Sequence, residues 1–301
     1  MTKPKQASPA NSQLPSLDLS YLRAATILPR EFSSLEIVLV GCGGTGSYMA
    51  LHIGRILRVL TEMGKEVRAT FVDPDVVEEK NLGRQFFCEA ELGAPKALTL
   101  ASRFGQAWGL DIAAVIDRFS SKLNIVKRNH LTDLTLIVGC VDNAAGRKAI
   151  ASTLKHNRPG DTTRVWYLDC GNHEESGQVL LGSVYDLKSC TDLFKASTLC
   201  SALPSPTLQR PELLKARPEE LDHNKLSCAE LLAANLQSLN INARVASEAA
   251  DMMTRLLVTR NLKRFACELN LAAGSMTSTY ATPEAVARVI GKEASFVCPR
   301  N

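Results

Sequence analysis

Leu35-Glu36-Ile37-Val38-Leu39-Val40-Gly41-Cys42-Gly43-Gly44-Thr45-Gly46 is the stretch on which the reading of the fold turns. Residues 35–40 are mostly apolar and β-branched, the composition of a strand buried on both faces. Residues 41–46 carry glycines with the spacing Gly-x-Gly-x-x-Gly, and a helical pattern runs from Ser47 to about Leu60. Strand, glycine turn and helix in that order put a helix N-terminus, with its free N–H groups and dipole, where a phosphate can meet it. The glycines allow a sharp turn and a close backbone approach. The spacing alone is common; the strand before it and the helix after it give it weight. A tight strand-to-helix turn without a ligand would leave the same glycines.

The residues downstream bear on which nucleotide fits. A second apolar run, Val67-Arg68-Ala69-Thr70-Phe71-Val72, ends at Asp73, and an acid at the end of the second strand suits ribose hydroxyls. Asp75 follows, as a site residue or as a shaper of the turn. Next comes Asn81-Leu82-Gly83-Arg84-Gln85, which a dinucleotide site does not need. It sets an amide and a guanidinium about one helical turn apart, and a guanidinium suits multidentate contact with polyphosphate. Lys96, after Gly93-Ala94-Pro95, heads a helix running to about Phe104 and offers phosphate a point charge. A further strand, Leu134-Thr135-Leu136-Ile137-Val138-Gly139-Cys140, ends at Val141-Asp142-Asn143. That places the Asp142 carboxylate at the carboxyl edge of the sheet, suited to Mg²⁺. Taken singly, Arg84 reads as a surface ion-pair partner, Lys96 as a solvated helix start and Asp142 as a helix N-cap. Their order and spacing favour a shared site.

In that order the residues resemble the ThiF/MoeB/ubiquitin-activating enzyme superfamily. The resemblance is specific from about residue 35 to 150 and weaker to about 257. Leu168-Asp169-Cys170-Gly171-Asn172-His173, Ser176-Gly177-Gln178 and Ser227-Cys228-Ala229-Glu230 are most similar to the ThiF-related protein of the PRTRC cassette, a bacterial system. The resemblance implies ATP- and Mg²⁺-dependent adenylation of the C-terminal carboxylate of a small ubiquitin-like β-grasp protein, by a homodimer. It implies a nucleotide site of Gly41, Gly43, Gly44, Gly46, Asp73, Asp75, Asn81, Arg84, Gln85, Lys96 and Asp142. Asp73 would hold ribose, Asn81, Arg84 and Lys96 the triphosphate, and Asp142 the metal. Chemistry agrees: attack on the α-phosphate builds negative charge that fixed cations stabilise. A carboxylate is already ionised at neutral pH, so no general base is needed.

The 301 residues suffice for one large α/β domain or two small ones. The 35 Lys and Arg against 31 Asp and Glu leave a net charge of +4, too weak and scattered to argue for nucleic acid. The longest cationic cluster, Lys127-Arg128-Asn129-His130, reads as a solvated loop. No apolar run reaches the ~18 residues of a membrane span. No signal peptide is evident, so the expected location is the cytoplasm. Nine cysteines without regular spacing argue against a disulfide framework, and the lack of any Cys-x-x-Cys argues against the zinc of many relatives.

Residues 1–20 read as a flexible polar tail and 21–301 as a single adenylation domain opening with an N-terminal arm. Arg23 and Arg30 in that arm are candidates to reach a partner subunit's nucleotide. The expected fold is a doubly wound, Rossmann-like, mostly parallel α/β sheet that continues into an antiparallel portion from about residue 178. A long crossover loop with short helical pieces spans about 186–226, marked by Pro204, Pro206, Pro211 and Pro218. Ser227 and Glu230 form a capping box for a long helix through Leu232, Leu239, Val245 and Met253. An antiparallel pair follows, near residues 265–269 and 277–280.

A thioester step would need a reactive cysteine. Cys42, Cys140 and Cys170 lie at strand ends and read as packing residues; Cys190 and Cys200 fall in the crossover loop, where exposure is expected. Cys228, at a helix N-terminus, is the first choice and Cys200 the second. Two other readings compete: a nicotinamide-dependent oxidoreductase, which leaves Arg84, Lys96 and Asp142 without a task, and a nucleotide-loaded scaffold without chemistry.

Overall fold

The computed structural model describes residues 19–120, 123, 133–157, 163–173, 175–216 and 240–298. Its main strands are β2 (Ser34–Val40), β3 (Glu66–Val72), β4 (Ile112–Val115), β5 (Leu134–Gly139), β6 (Val165–Asn172), β7 (Ser176–Gly182), β10 (Arg264–Asn270) and β11 (Ser275–Tyr280). The short β1 (Thr26–Ile27), β8 (Phe194–Ala196) and β9 (Leu199–Cys200) form a separate small sheet. The helices are α1 (Ser20–Arg23), α2 (Gly44–Glu62), α3 (Lys96–Trp108), α4 (Ala144–Thr153), α5 (Pro206–Gln209), α6 (Ile241–Leu257), α7 (Pro283–Val289) and α8 (Ala294–Val297).

The main sheet has the order β11-β10-β7-β6-β5-β2-β3-β4. From β6 to β4 every pairing is parallel; from β6 to β11 every pairing is antiparallel. The chain leaves β2 toward β3 and β4, then returns to the other side of β2 for β5 and β6. That reversal opens a crevice beyond the carboxyl ends of β2 and β5, the place where doubly wound sheets bind ligands.

β2 and β5 are buried along their whole length because layers cover both sheet faces. On one face α2 contributes Met49, Ile53, Leu57 and Leu60, and α6 contributes Ile241, Val245, Ala249 and Met253, each set at helical spacing. On the other face Ile150 and Leu154 pack on Val38, Ile137 and Tyr167. α2 and α3 approach closely: a Cβ on Gly54 would lie 2.2 Å from the Trp108 ring.

The expected crossover region carries the expected short helical pieces and also a hairpin; its residues 217–226 lie outside the described residues. From Asp186 to Lys215 it folds into two 3₁₀ turns, α5 and the β8–β9 hairpin, which pairs with β1. Gln209 ties it down by donating to the carbonyls of Leu181 at 2.8 Å and Pro204 at 2.7 Å. This corrects the expectation for Cys190 and Cys200. Both are fully buried, because the hairpin packs them beneath itself, and burial pushes both thiols up to about 12. Cys200 is therefore no longer a candidate nucleophile. Ser227, Cys228 and Glu230, the Lys127–His130 cluster and residues 1–18 of the tail lie outside the described residues, while Ser20 already opens α1. The helix expected from Leu232 is described from Ile241 onward.

Candidate active site

The glycine loop lies against the end of β5. Gly41 has φ +89°, and a Cβ there would sit 2.6 Å from the Cys140 carbonyl oxygen, so this position demands glycine twice over. Gly46 is tighter still, with a Cβ position 1.8 Å from the Gly41 carbonyl oxygen. The helix starts at Gly44, three residues before the sequence pattern implies, because its first turn is built from the glycines themselves. A Cβ on Gly43 would meet only Gln85 Nε2, at 3.8 Å, so this glycine borders open space.

Asp73, at the end of β3, is buried and turned onto the loop. Its Oδ2 accepts from the Cys42 N–H at 2.5 Å and its Oδ1 from the Asp75 N–H at 2.8 Å. Burial raises its pKa, and these two bonds and the nearby Lys96 work in the opposite direction. Burial, then the Asp73 charge, push the Cys42 thiol well up, so Cys42 is a packing residue.

Lys96 opens α3 and is buried, with its side chain 8% exposed. Its N–H donates to the Asp75 carbonyl at 2.9 Å, and its ammonium lies 3.5 Å from the Asp75 carboxylate, which itself is mostly exposed. The solvated-helix-start reading fails: this lysine is held inside, near Asp73. Asn81 is buried too, and its Oδ1 accepts from the Glu78 N–H at 2.9 Å, closing a 3₁₀ turn that shapes the segment leading to Arg84.

Arg84 has no carboxylate partner among the described residues, so it is not the surface ion-pair partner of the simplest reading. Its Nε is buried and unpaired, and Oε1 of the neighbouring Gln85 is buried and unpaired as well. Buried polar groups are normally satisfied; these two adjacent exceptions lie beside the glycine loop.

Asp142 is exposed just beyond β5, and its Oδ1 accepts from Asn143 Nδ2 at 3.0 Å. The N-cap of α4 is Asn143, whose Oδ1 accepts from the Gly146 N–H at 2.8 Å. Asp142 is thus free of the capping task. Among the described residues no group of three His, Cys, Asp or Glu converges on a metal position. A lone carboxylate is the donor set that suits Mg²⁺ shared with substrate phosphates and water.

Two features escaped the sequence. Asn242 on α6 reaches into the glycine loop, with its Oδ1 3.1 Å from Thr45 Oγ1. Thr45 lies 197 residues away, and no local pattern announces the pair. Beneath the sheet edge, Arg147 donates to Asp169 Oδ1 at 3.2 Å, and the Tyr167 hydroxyl donates to the same oxygen at 2.5 Å. Arg147 also borders a cavity of about 720 Å³ formed with Asn172, His173, Gln178, Lys215 and Glu268 on the antiparallel half. A second cavity, of about 1020 Å³, lies at the opposite edge of the sheet and includes Arg30, Lys155 and Tyr185.

A family model described as "ThiF family" matches residues 28–193, more than half of the chain. No curated protein matches it. Among solved structures, the chain is similar to PaaA, with 13% identity, 82% of this chain and 64% of that chain covered, and a TM-score of 0.53. It is also similar to E. coli MccB with ATP, with 14% identity, 93% and 68% covered and a TM-score of 0.51. For E. coli MccB alone the figures are 13%, 88%, 65% and 0.51. At such identities the likeness is one of fold, and the chain spans about two thirds of the length of these proteins.

Proposed function

The chain belongs to the ThiF family, and from that premise we propose that it adenylates a carboxylate with ATP and Mg²⁺. The substrate we propose is the C-terminal carboxylate of a small ubiquitin-like β-grasp protein. The observation that carries the reading is the unpaired, buried Arg84 Nε beside Gln85 and the glycine loop, at the crevice where the sheet reverses. The MccB fold relative was solved with ATP in one structure and in complex with N-formylated MccA in another, which supports a nucleotide and a second ligand meeting on this fold.

In the reaction, a carboxylate oxygen of the substrate attacks the α-phosphorus of ATP. The bond to the pyrophosphate oxygen breaks, and an acyl-adenylate and pyrophosphate result. Arg84 and Lys96 supply fixed positive charge to the phosphates as negative charge shifts toward the leaving group. Gly43 leaves room for the phosphates, and the free N–H groups of α2 face them. Asp73 already fixes the loop through the Cys42 N–H and its own turn through the Asp75 N–H; each carboxylate oxygen retains a lone pair for a ribose hydroxyl. Asn81, Gln85 and Asp75 complete the nucleotide set. Asp142 would hold Mg²⁺, which when bound neutralises phosphate charge. The cavity of about 720 Å³ beside Arg147, on the antiparallel half, would receive the extended chain end of the substrate.

The proposal extends to the PRTRC branch, a bacterial cytoplasmic setting, a homodimer, and one adenylation domain over residues 21–301 behind a flexible tail. Any thioester step would run through Cys228; pure adenylation is the simpler course. The test is ATP–pyrophosphate exchange with the β-grasp protein encoded nearby. We expect exchange that needs both Mg²⁺ and that protein. A folded enzyme that catalyses no exchange and is thermally stabilised by NAD but not by Mg-ATP would refute adenylation in favour of a nicotinamide site.

A further inference from the structure

We propose that Asn242, which lies outside the family-matched stretch, is a positioning residue for Arg84 and the glycine loop; the inference rests on the adenylation reading. Asn242 stands in the first turn of α6 and is 4% exposed. Its Oδ1 accepts from the Thr45 hydroxyl at 3.1 Å and from Asn172 Nδ2 at 2.6 Å, and its Nδ2 donates to the Arg84 carbonyl at 3.2 Å. One amide therefore joins the first turn of α2, the end of β6 and the Asn81–Gln85 segment. The fit is close enough that a Cβ on Gly44 would sit 2.6 Å from Asn242 Oδ1.

The consequence for Arg84 follows from its backbone. Its N–H donates to the Asn81 carbonyl at 3.2 Å, and its carbonyl is held by Asn242, so both polar groups of the Arg84 peptide are fixed while the side-chain Nε is left for a ligand. A long side chain rooted on a fixed backbone is aimed at lower entropic cost than one on a loose segment. The task needs an acceptor on one side of the amide and a donor on the other. Aspartate keeps the shape but turns an acceptor toward the Arg84 carbonyl and adds negative charge at the mouth of a phosphate loop. Alanine leaves Thr45 Oγ1 and the Arg84 carbonyl without this partner.

The test compares wild type, Asn242→Asp, Asn242→Ala and the double variant Asn242→Ala/Arg84→Ala. Mg-ATP affinity by calorimetry and KM for ATP in pyrophosphate exchange are the readouts. We expect KM for ATP to rise at least tenfold in Asn242→Asp, with KM for the β-grasp protein unchanged. We expect Asn242→Ala to cost several-fold alone and less than twofold when Arg84 is already alanine, a coupling that a merely structural role would not produce. Thr45→Val, milder for the fold, should weaken Mg-ATP several-fold should the Asn242 variants not fold. Wild-type Mg-ATP affinity in Asn242→Asp or Thr45→Val, or full additivity in the double variant, overturns the assignment. Failure of the wild type itself to bind Mg-ATP overturns the adenylation reading and this inference with it.

Discussion

Arg84→Ala separates ligand recognition from stability by the sign of two effects. In the free protein, Arg84 Nε is a buried donor without a partner. Such a group costs about 1–3 kcal/mol. Truncation removes that cost while losing the packing of the side-chain stem, so the two largely cancel. For a chain of this size about 1 kcal/mol corresponds to roughly 2–4 °C, and we expect a melting temperature unchanged or slightly raised. On the proposed reading the same truncation also removes a charge-assisted contact aimed at developing phosphate charge, a loss that costs about 10²–10³ in rate. Arg84→Lys should recover part of this at most, since an ammonium keeps the charge but not the planar fork. The assays are differential scanning calorimetry without nucleotide and pyrophosphate exchange with the β-grasp protein. A melting temperature lowered by more than about 5 °C would show that Arg84 is structural. Exchange within a few-fold of wild type at unchanged stability would show that it does not act on phosphate.

Arg147→Ala should do the opposite and destabilise the free protein by about 3–5 kcal/mol, the usual cost of leaving one partner of a buried ion pair alone; a urea midpoint within error of wild type would contradict this. Gly46→Ala should collapse Mg-ATP binding, because its Cβ position lies 1.8 Å from the Gly41 oxygen, whereas Gly83→Ala, with nothing within 4 Å, should bind as wild type. Equal affinities in the two variants would remove the loop from the site. Asp142→Ala should abolish the Mg²⁺-dependent part of ATP affinity, read by calorimetry with and without the metal; an equal Mg-ATP affinity would end its metal role. Asp133 accepts from the Ser33 N–H and hydroxyl and the Ser34 N–H, which hold its carboxyl down to about 2. Because the folded pKa is depressed, its contribution is present above about pH 4 and lost as pH falls through about 2. Asp133→Asn should therefore flatten the acid limb of the urea midpoint between those values, and parallel limbs would refute the assignment.

The candidate-site residues legible from sequence are those whose signal is local. The glycine spacing after a buried strand, the acid ending β3, the Arg84 segment and Lys96 each follow the preceding element by a short stretch, so spacing alone put them at one sheet edge. What escaped depended on contacts between distant parts. Cys190 and Cys200 lie among prolines and polar residues that favour a loop, yet the β8–β9 hairpin pairs with β1, some 170 residues earlier by the register of Thr26 with Leu199, and buries them. The cap of α4 went to Asn143 rather than Asp142, a one-residue shift within the ordinary uncertainty of helix ends. Asn242 gave no sign, because in a helix read as starting from Ser227 it is an ordinary interior position until its partners, 158 and 197 residues away, are seen.

The two inward-lying arginines beside the sheet edge show why pairing, more than burial, distinguishes function from architecture here. Arg147 is 2% exposed and matched: Asp169 accepts from it, and the Tyr167 hydroxyl, whose pKa burial pushes well up, stays protonated to donate to the same oxygen. That pairing of Arg147 forms without a ligand, and it stands beside the cavity of the antiparallel half. Arg84 is held through its backbone on both sides, by Asn81 and Asn242, while its Nε goes unmatched. A folded protein gains nothing in stability from fixing a cation's root and withholding its partner. The arrangement makes sense where the partner arrives with the substrate, and on the proposed reading that partner is the ATP phosphate chain. The glycine loop, Lys96 and Arg84 would then be set before binding, so that little reorganisation is needed as charge moves onto pyrophosphate, the condition under which fixed charges contribute most to rate.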